Sequence, residues 1–432
     1  MLPLIKRFLK NKLLHETIFY GVATAINRGL ILLALPFLGK SLSIEEYGVW
    51  TLSQVLISLG APLFSLNGSA GVLREGTGNK AQGFLVYKKY LKITTQIALC
   101  ASVALFLLKR DWIFYTIWLV LIEAYLSLIT AWYRSQDKHI LYFVAVFTKL
   151  VALVAAIYLS SSSPSLLIVL HYQTMVGASL LTPLLVVTIL QNATISGSIA
   201  FKGVIIFSLG LLPHGFSQWI LSGSDRLIIK YMLGDMQLGY YSLAYTLSMS
   251  VMLINSGLGM TIPVDIIKHH SIWMNTGRRT KLIVGYSALF LATSIALVVV
   301  SHSFKEYLPF LKDVNHDVLL LMPWILNGMY FLGIYLFFIN YLFYQRKSML
   351  VSLITTVAAI FNIVLTISLV DPFGIEGAAF STFVAYLIYM AASMWGAIKH
   401  QSLPGKYYRV DIMVIAITAI LNHLILHLII SF

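Results

Sequence analysis

Charge is what this chain has least of. Aspartate, glutamate, lysine and arginine together make 11% of its 432 residues, and only 16 residues are acidic. The gaps between them are filled by apolar runs of roughly 20 residues, the length that crosses the hydrocarbon of a bilayer. With 59% hydrophobic residues, the chain carries more apolar surface than one soluble core could hide. Cysteine is nearly absent as well. Cys100 stands alone in an apolar run, which excludes an intrachain disulfide and a cysteine metal cluster; it is expected simply to pack. Long polar stretches are also missing. The longest connections, about 74–90, 191–203, 265–281 and 303–316, are each too short to fold alone.

What remains is a succession of helices. Because lipid supplies no partner for an unpaired backbone group, the apolar runs are read as spanning helices. They are expected near 16–38, 47–73, 91–108, 112–133, 140–159, 165–190, 204–232, 238–264, 282–302, 317–343, 350–370, 375–398 and 410–430. The formal charge of +14 would suggest nucleic acid in a soluble protein, but here the basic residues cluster between spans, so no nucleic-acid partner is expected. Arg74, Lys80, Lys88, Lys89, Arg134, Lys138, Lys268, Arg278, Arg279, Lys281, Arg346, Lys347, Lys399, Lys406 and Arg409 all fall on one side. Lys6, Arg7, Lys10 and Lys12 share it, on an amphipathic segment suited to an anionic membrane face. The positive-inside rule makes that side, and the N-terminus, cytoplasmic. Ala23-Thr24-Ala25 superficially offers a signal-peptidase site, but His15 and Glu16 interrupt the preceding run, so cleavage is not expected.

The chain also repeats. Displaced by 191 positions, Gly48 meets Gly239, Leu52 meets Leu243, Leu56 meets Leu247, Ser65 meets Ser256 and Gly68 meets Gly259. Six spans separate the matched helices, so the halves share an orientation, as in transporters built from parallel repeats. The expected fold is an all-α polytopic membrane protein of 12 to 14 transmembrane helices in two six-helix bundles around a central cavity. The first bundle is expected over 1–190, a cytoplasmic linker over 191–203, and the second bundle over 204–398. A cytoplasmic loop and an extra C-terminal span complete it over 399–432.

The stretch Leu35-Pro36-Phe37-Leu38-Gly39-Lys40-Ser41-Leu42-Ser43-Ile44-Glu45-Glu46-Tyr47-Gly48-Val49-Trp50-Thr51-Leu52 resembles the first-loop signature of polysaccharide repeat-unit flippases, the Wzx type of the MOP exporter superfamily. A second-half counterpart runs from Asp225-Arg226-Leu227-Ile228-Ile229-Lys230-Tyr231-Met232-Leu233-Gly234 to Gly239-Tyr240-Tyr241-Ser242-Leu243-Ala244. The resemblance implies alternating access and a cargo of undecaprenyl-diphosphate-linked oligosaccharide, an O-antigen unit or a relative of one. It also implies a bacterial inner-membrane location beside membrane lipids, with the polysaccharide polymerase and chain-length machinery as partners. The family has twelve or fourteen spans, against the thirteen counted here.

Charges inside spans are the candidate functional residues, since each costs roughly 2.5 to 3.5 kcal/mol on insertion scales unless it faces protein or water. Arg28, Lys149 and Arg226 are candidate cargo contacts, because a diphosphate calls for fixed positive charge; Glu123 and Asp225 are candidates for coupling to Na+ or H+. The alternatives are a structural ion pair for Glu123 with Lys149, and snorkelling of Asp225 and Arg226 to the interface. Pro62, Gly68, Pro213 and Gly259 are candidate hinges, with close packing as the other reading. Trp50, Trp112, Trp132 and Trp219 read mostly as interface anchors, some of which could stack on sugars. His171 and His214 read as packed or interfacial. His423 and His427 lack further ligands for a metal, and His269-His270 reads as a loop pair. No resident cofactor is expected. Without a G-x-x-x-x-G-K-[ST] loop, the energy would come from an ion gradient or from removal of product. A drug or cation antiporter of the same superfamily is the alternative, and would favour acidic residues in place of Arg28 and Lys149. A glycan-processing enzyme is the third reading, disfavoured by the lack of a large outer loop or paired carboxylates.

Overall fold

The computed structural model describes residues 34–106, 111–192, 194–273, 277–303, 317–400 and 408–431. They are helical almost throughout, and ten helices among them are long and apolar enough to cross a membrane. The protein is an all-α, multi-pass membrane protein. It forms two compact units, one spanning Lys40–Trp219, the other beginning at Ile220 and also taking in the helical stretch 34–39.

The first unit is built on α1 (Ile44–Phe64), α2 (Gly68–Gly76), α3 (Lys80–Phe106), α4 (Trp112–Ser135), α5 (His139–Leu159), α6 (Leu166–Leu190) and the first half of α7 (Phe201–Leu233). The start of α1 explains part of the signature noted above. Ser43 accepts from the Glu46 N–H at 3.2 Å, and Glu46 accepts from the Ser43 N–H at 3.1 Å, a reciprocal cap. The second carboxylate oxygen of Glu46 accepts from the Leu166 N–H at 2.9 Å. One carboxylate thus serves the N-termini of α1 and α6, where the helix dipoles favour negative charge.

α4 forms the core of this unit, with Leu121, Ala124, Leu128, Ile129, Trp132 and Tyr133 buried. Trp50 and Trp132, expected at the interface, are buried too; the Trp50 ring nitrogen donates to Gln173 at 3.4 Å. Periodicity around a fully apolar helix does not tell a lipid-facing ring from a core ring. Cys100, expected to pack, is exposed, beside the exposed Leu99 and Val103, on a face of α3 that suits lipid. The long connection expected over 74–90 is mostly helix. α2 ends at Gly76 and α3 begins at Lys80, and the two are so close that a Cβ on Gly83 would fall 2.2 Å from the Gly76 Cα. The expected linker gives its backbone to α3: Lys88 donates to the Ile195 carbonyl at 3.2 Å and Lys89 to that of Ile199 at 3.3 Å.

The second unit holds the rest of α7, α8 (Asp235–Ser248), α9 (Met252–Trp273), α10 (Gly277–Ser303), α11 (Met322–Tyr344), α12 (Ser348–Lys399) and α13 (Tyr408–Ser431). α11 is its core, buried over most of its length. The two spans expected at 350–370 and 375–398 are the arms of α12, which reverses at Gly374, where φ is +57°. Glycine is suited there, since a Cβ disfavours that backbone. Across the hairpin Thr366 meets Ser381 at 2.7 Å and Thr355 meets Tyr389 at 3.1 Å.

Two corrections concern the basic side. The residues just before His269, expected in a loop, continue α9, which kinks at His269 (φ −129°) before a last short piece ending at Trp273; that ring is buried and donates to the Phe337 carbonyl at 3.3 Å. Arg279, expected among the loop cations, is fully buried. Its Nε donates to Asp411 at 2.9 Å, and Thr280 donates to the same carboxylate at 2.6 Å. Asn422 adds a bond to Asn327 at 2.9 Å. These contacts fix α13 to α10 and α11.

One turn geometry occurs in both units. α4 and α11 both end in a turn with a non-glycine residue in the left-handed region, Asp137 at φ +54° and Arg346 at φ +57°. In each, the following lysine N–H reaches back to close the helix end: Lys138 to Tyr133 at 3.0 Å, Lys347 to Leu342 at 3.0 Å. Burial, and then the neighbouring Lys80, hold the Lys138 ammonium below the usual lysine range.

Candidate functional site

Among the described residues the candidate charges form two clusters, one in each unit. In the first, Lys149 of α5 donates to Glu123 of α4. Both sit at mid-helix, where only a partner or water makes a charge tolerable. The pair is not sealed, for the side chains keep 36% and 22% of their exposure. The two helices are held by this bond, and the ammonium is still reachable from outside the unit's core.

In the second unit Asp225 and Arg226 lie inside α7 and are buried. Snorkelling, the alternative reading for both, is not what the chain does. Asp225 accepts from the Tyr241 hydroxyl and, at 2.8 Å, from the Arg226 N–H. Arg226 donates to the Ser222 carbonyl at 3.2 Å, and its guanidinium lies 4.1 Å from the Tyr245 ring centre and 3.8 Å from Asp225. Tyr241 also meets Thr382 at 3.4 Å. Polar and aromatic partners on α8 and α12 therefore hold inside the unit what a long side chain could otherwise have carried to the interface. Carboxylate and hydroxyl oxygens are the donors that a small hard cation takes.

Sequence reasoning picked out Asp225 and Arg226 by their charge and missed Tyr241, Tyr245 and Thr382. The signal was present, since Tyr241 and Tyr245 share a helix face one turn apart, but only packing shows that the face meets α7. The Arg279–Asp411 pair was missed for a similar reason: Arg279 reads as a loop cation, Asp411 stands in the first turn of a span, and only packing brings the two together.

The candidate hinges differ among themselves. Pro62 lies in the last turn of α1, followed by a break at Leu66 (φ +50°) and Asn67 (φ +51°), after which α2 begins at Gly68. Gly68 is crowded: a Cβ there would come 2.6 Å from the Tyr90 ring. Asn67 donates to the Ser208 carbonyl at 3.2 Å and Tyr90 to the Ser208 hydroxyl at 2.7 Å, so the break is packed against α3 and α7. Gly259, by contrast, has open space at its Cβ position. Pro213 lies within α7, where Ser217 donates to its carbonyl at 3.0 Å. Among the histidines, His171 lies edge-on to Tyr115, 5.6 Å between ring centres, and His423 packs on Trp324 at 4.4 Å. Arg28 lies outside the described residues.

No family model matches the sequence, and no curated protein matches it either. Solved structures do match in fold. The lipid II flippase MurJ, in an inward closed conformation, aligns with a TM-score of 0.61 at 12% identity, over 94% of this chain and 98% of that one. The MATE multidrug transporter DinF-BH aligns at 0.56 and 15% identity, over 90% and 96%. The Vibrio cholerae MATE transporter VcmN aligns at 0.51 and 14%, over 90% and 96%. These neighbours are transporters and not enzymes, and over nearly its whole length the chain has the polytopic fold that they share.

Proposed function

We propose that this protein is a Wzx-type flippase of the MOP exporter superfamily. It moves an undecaprenyl-diphosphate-linked oligosaccharide repeat unit from the cytoplasmic to the outer leaflet of a bacterial inner membrane, by alternating access. The observation that carries the reading is basic charge inside apolar helices of a fold that extends, over 94% of the chain, to a lipid II flippase. An anionic diphosphate must leave water to cross, and permanent or partly open cations inside the helices are what compensates it. Arg28, Lys149 and Arg226 are its proposed contacts. Glu123 and Asp225 are proposed to couple transport to Na+ or H+, and the polymerase and chain-length machinery to receive the product.

Ion-coupled drug antiport is the second reading, favoured by the MATE neighbours and by the carboxylates that meet both Lys149 and Arg226. Reconstitution separates the two. Proteoliposomes should translocate a labelled undecaprenyl-diphosphate oligosaccharide and leave an organic cation such as ethidium where it is; the reverse pattern would establish the antiporter. Arg28→Ala should abolish export while the protein still reaches the membrane, and Arg28→Lys should restore it in part, charge without the bidentate fork. Normal surface glycan in Arg28→Ala at native expression would remove Arg28 from the mechanism.

The proposed orientation places the N-terminus and the basic ends near Lys80 and Gly277 in the cytoplasm. Single cysteines at Lys80, Gly277 and Ser162, in a Cys100→Ala background that removes an exposed thiol, should label with an impermeant reagent in intact cells only at Ser162. Labelling at the other two alone would invert the orientation.

A further inference from the structure

The first unit contains a cavity of about 110 Å³ between α1 and α7, where a single water needs roughly 10–15 Å³. Pro62, Leu59 and Leu63 line it from α1, and Leu211, Gly215, Phe216 and Trp219 from α7. Phe216 and Trp219 stack, with ring planes 22° apart and centres separated by 6.3 Å. The cavity is therefore mostly apolar, and one part of its wall is aromatic.

Its polar groups are few and mostly committed. The Trp219 ring N–H donates to the Val55 carbonyl at 2.8 Å, and the Ser58 hydroxyl donates to the same oxygen at 2.6 Å. The bond from Asn67 to Ser208 turns its amide nitrogen to the protein and leaves Oδ1 as an acceptor. Pro62, one turn after Ser58, has no N–H to offer the Ser58 carbonyl, a second acceptor on the cavity wall. Aromatic faces beside spare acceptors, with no carboxylate or cation among the described lining residues, narrow the ligand chemistry. A hydrocarbon tail leaves both acceptors unmet. A diphosphate brings only more acceptors, and an organic cation calls for a negative charge that the wall lacks. A sugar ring fits both requirements: its hydroxyls donate, and its C–H face carries the positive edge that meets the negative face of an indole.

We infer that this cavity is a saccharide subsite, in which Trp219 and Phe216 stack on one ring of the cargo glycan while Asn67 and the Ser58 carbonyl accept its hydroxyl protons. The inference rests on the proposed flippase reading and adds to it the contacts that would distinguish a glycan from its bare lipid carrier. The opening of the α1–α2 break at Asn67 is then explained as well, since it places an amide at the end of a groove that a continuous helix would close.

The test compares two probes on the full-length protein in nanodiscs: undecaprenyl diphosphate, and the same lipid carrying one N-acetylglucosamine. Wild type should prefer the sugar-bearing lipid by roughly fivefold to tenfold. Trp219→Leu should lose that preference without changing affinity for the bare lipid, and Trp219→Phe, which keeps a ring, should retain most of it. Trp219 also anchors α7 to α1, so a second variant covers misfolding. Gly215→Leu fills the cavity from a position with open space at its Cβ and should lose the preference with its thermal midpoint unchanged. Equal loss for both probes would assign the cavity to the isoprenoid tail and overturn the inference. A wild type that binds both probes equally would also overturn it while leaving the flippase reading intact. A wild type that binds neither would overturn the flippase reading itself.

Discussion

The two units place the same small residues in unlike surroundings. Gly68 and Gly259 occupy matching positions of the repeat, each following a matching serine, Ser65 or Ser256. In the first unit the helix breaks at Leu66 and Asn67, and Gly68 is pressed against Tyr90 and Leu128. In the second unit the helix passes through a single 3-10 turn, Met249–Val251, and continues, with nothing within 4 Å of a Cβ at Gly257 or Gly259. A glycine that permits close approach and a glycine that leaves room are the same letter. Which one it is depends on whether a large neighbour, here Tyr90, has been brought to it.

Charge shows the same contrast. The Glu123–Lys149 pair of the first unit remains partly exposed, while Arg279–Asp411 of the second is sealed. A sealed pair acts as a fastening, because neither ion can be released without stranding the other. A partly open pair can exchange partners with an incoming ion. Fastening therefore falls to the second pair, and exchange with an incoming ion is the role proposed for the first.

Breaking the sealed pair should have the largest effect. Arg279→Met alone leaves Asp411 buried and unpaired, a loss of about 3–5 kcal/mol, to be read as a lowered thermal midpoint in detergent and detachment of α13 by limited proteolysis. The double variant Arg279→Met with Asp411→Leu should recover most of it; equal damage in single and double variants would mean that the pair is not what holds α13. Next comes the crowded glycine. Gly68→Ala should cost about 1–3 kcal/mol by overpacking against Tyr90, whereas Gly259→Ala should be neutral or gain up to about 1 kcal/mol, the ordinary result for alanine in a helix. Equal effects at the two sites would dissolve the contrast between them.

The helix caps differ between the units as well. Ser43→Ala removes a reciprocal cap and should cost about 1 kcal/mol. The corresponding start of α8, at Gly234 with φ +85°, has no side-chain cap to lose. The smallest stability change is expected at the open pair, where Glu123→Gln with Lys149→Met together should cost on the order of 1 kcal/mol or less. Export decides its role: an abundant, fully active double variant would leave Lys149 a helix fastening, and an abundant, inactive one would support its contact with the cargo.

Much of the architecture was legible because lipid imposes it. Runs such as 112–133, 140–159 and 165–190 needed only length and hydropathy to be placed within a few residues of α4, α5 and α6. The errors fall where helices outlast the apolar run. Polar residues end the hydrophobic signal at the ends of α3 and α9, but not the helix, because Gly83 and Trp273 find partners there. Side-chain roles were legible only to the extent that burial of charge is costly. That cost singled out Lys149 and Asp225, but it could not name Tyr241 as the donor to Asp225, and it was blind to Trp219, whose value lies in the cavity beside it.

By itself, then, the sequence determined an all-helical membrane chain, its repeat, and the need of its few intramembrane charges for company. These follow from the backbone's demand for hydrogen bonds and from the energy of charge in hydrocarbon, which act on each segment alone. Tertiary structure decided which company each charge keeps, which tryptophans lie in a core, and which glycines are crowded. On helices apolar all round, periodicity carries no direction, so the choice of face is made only when another helix arrives to fill it.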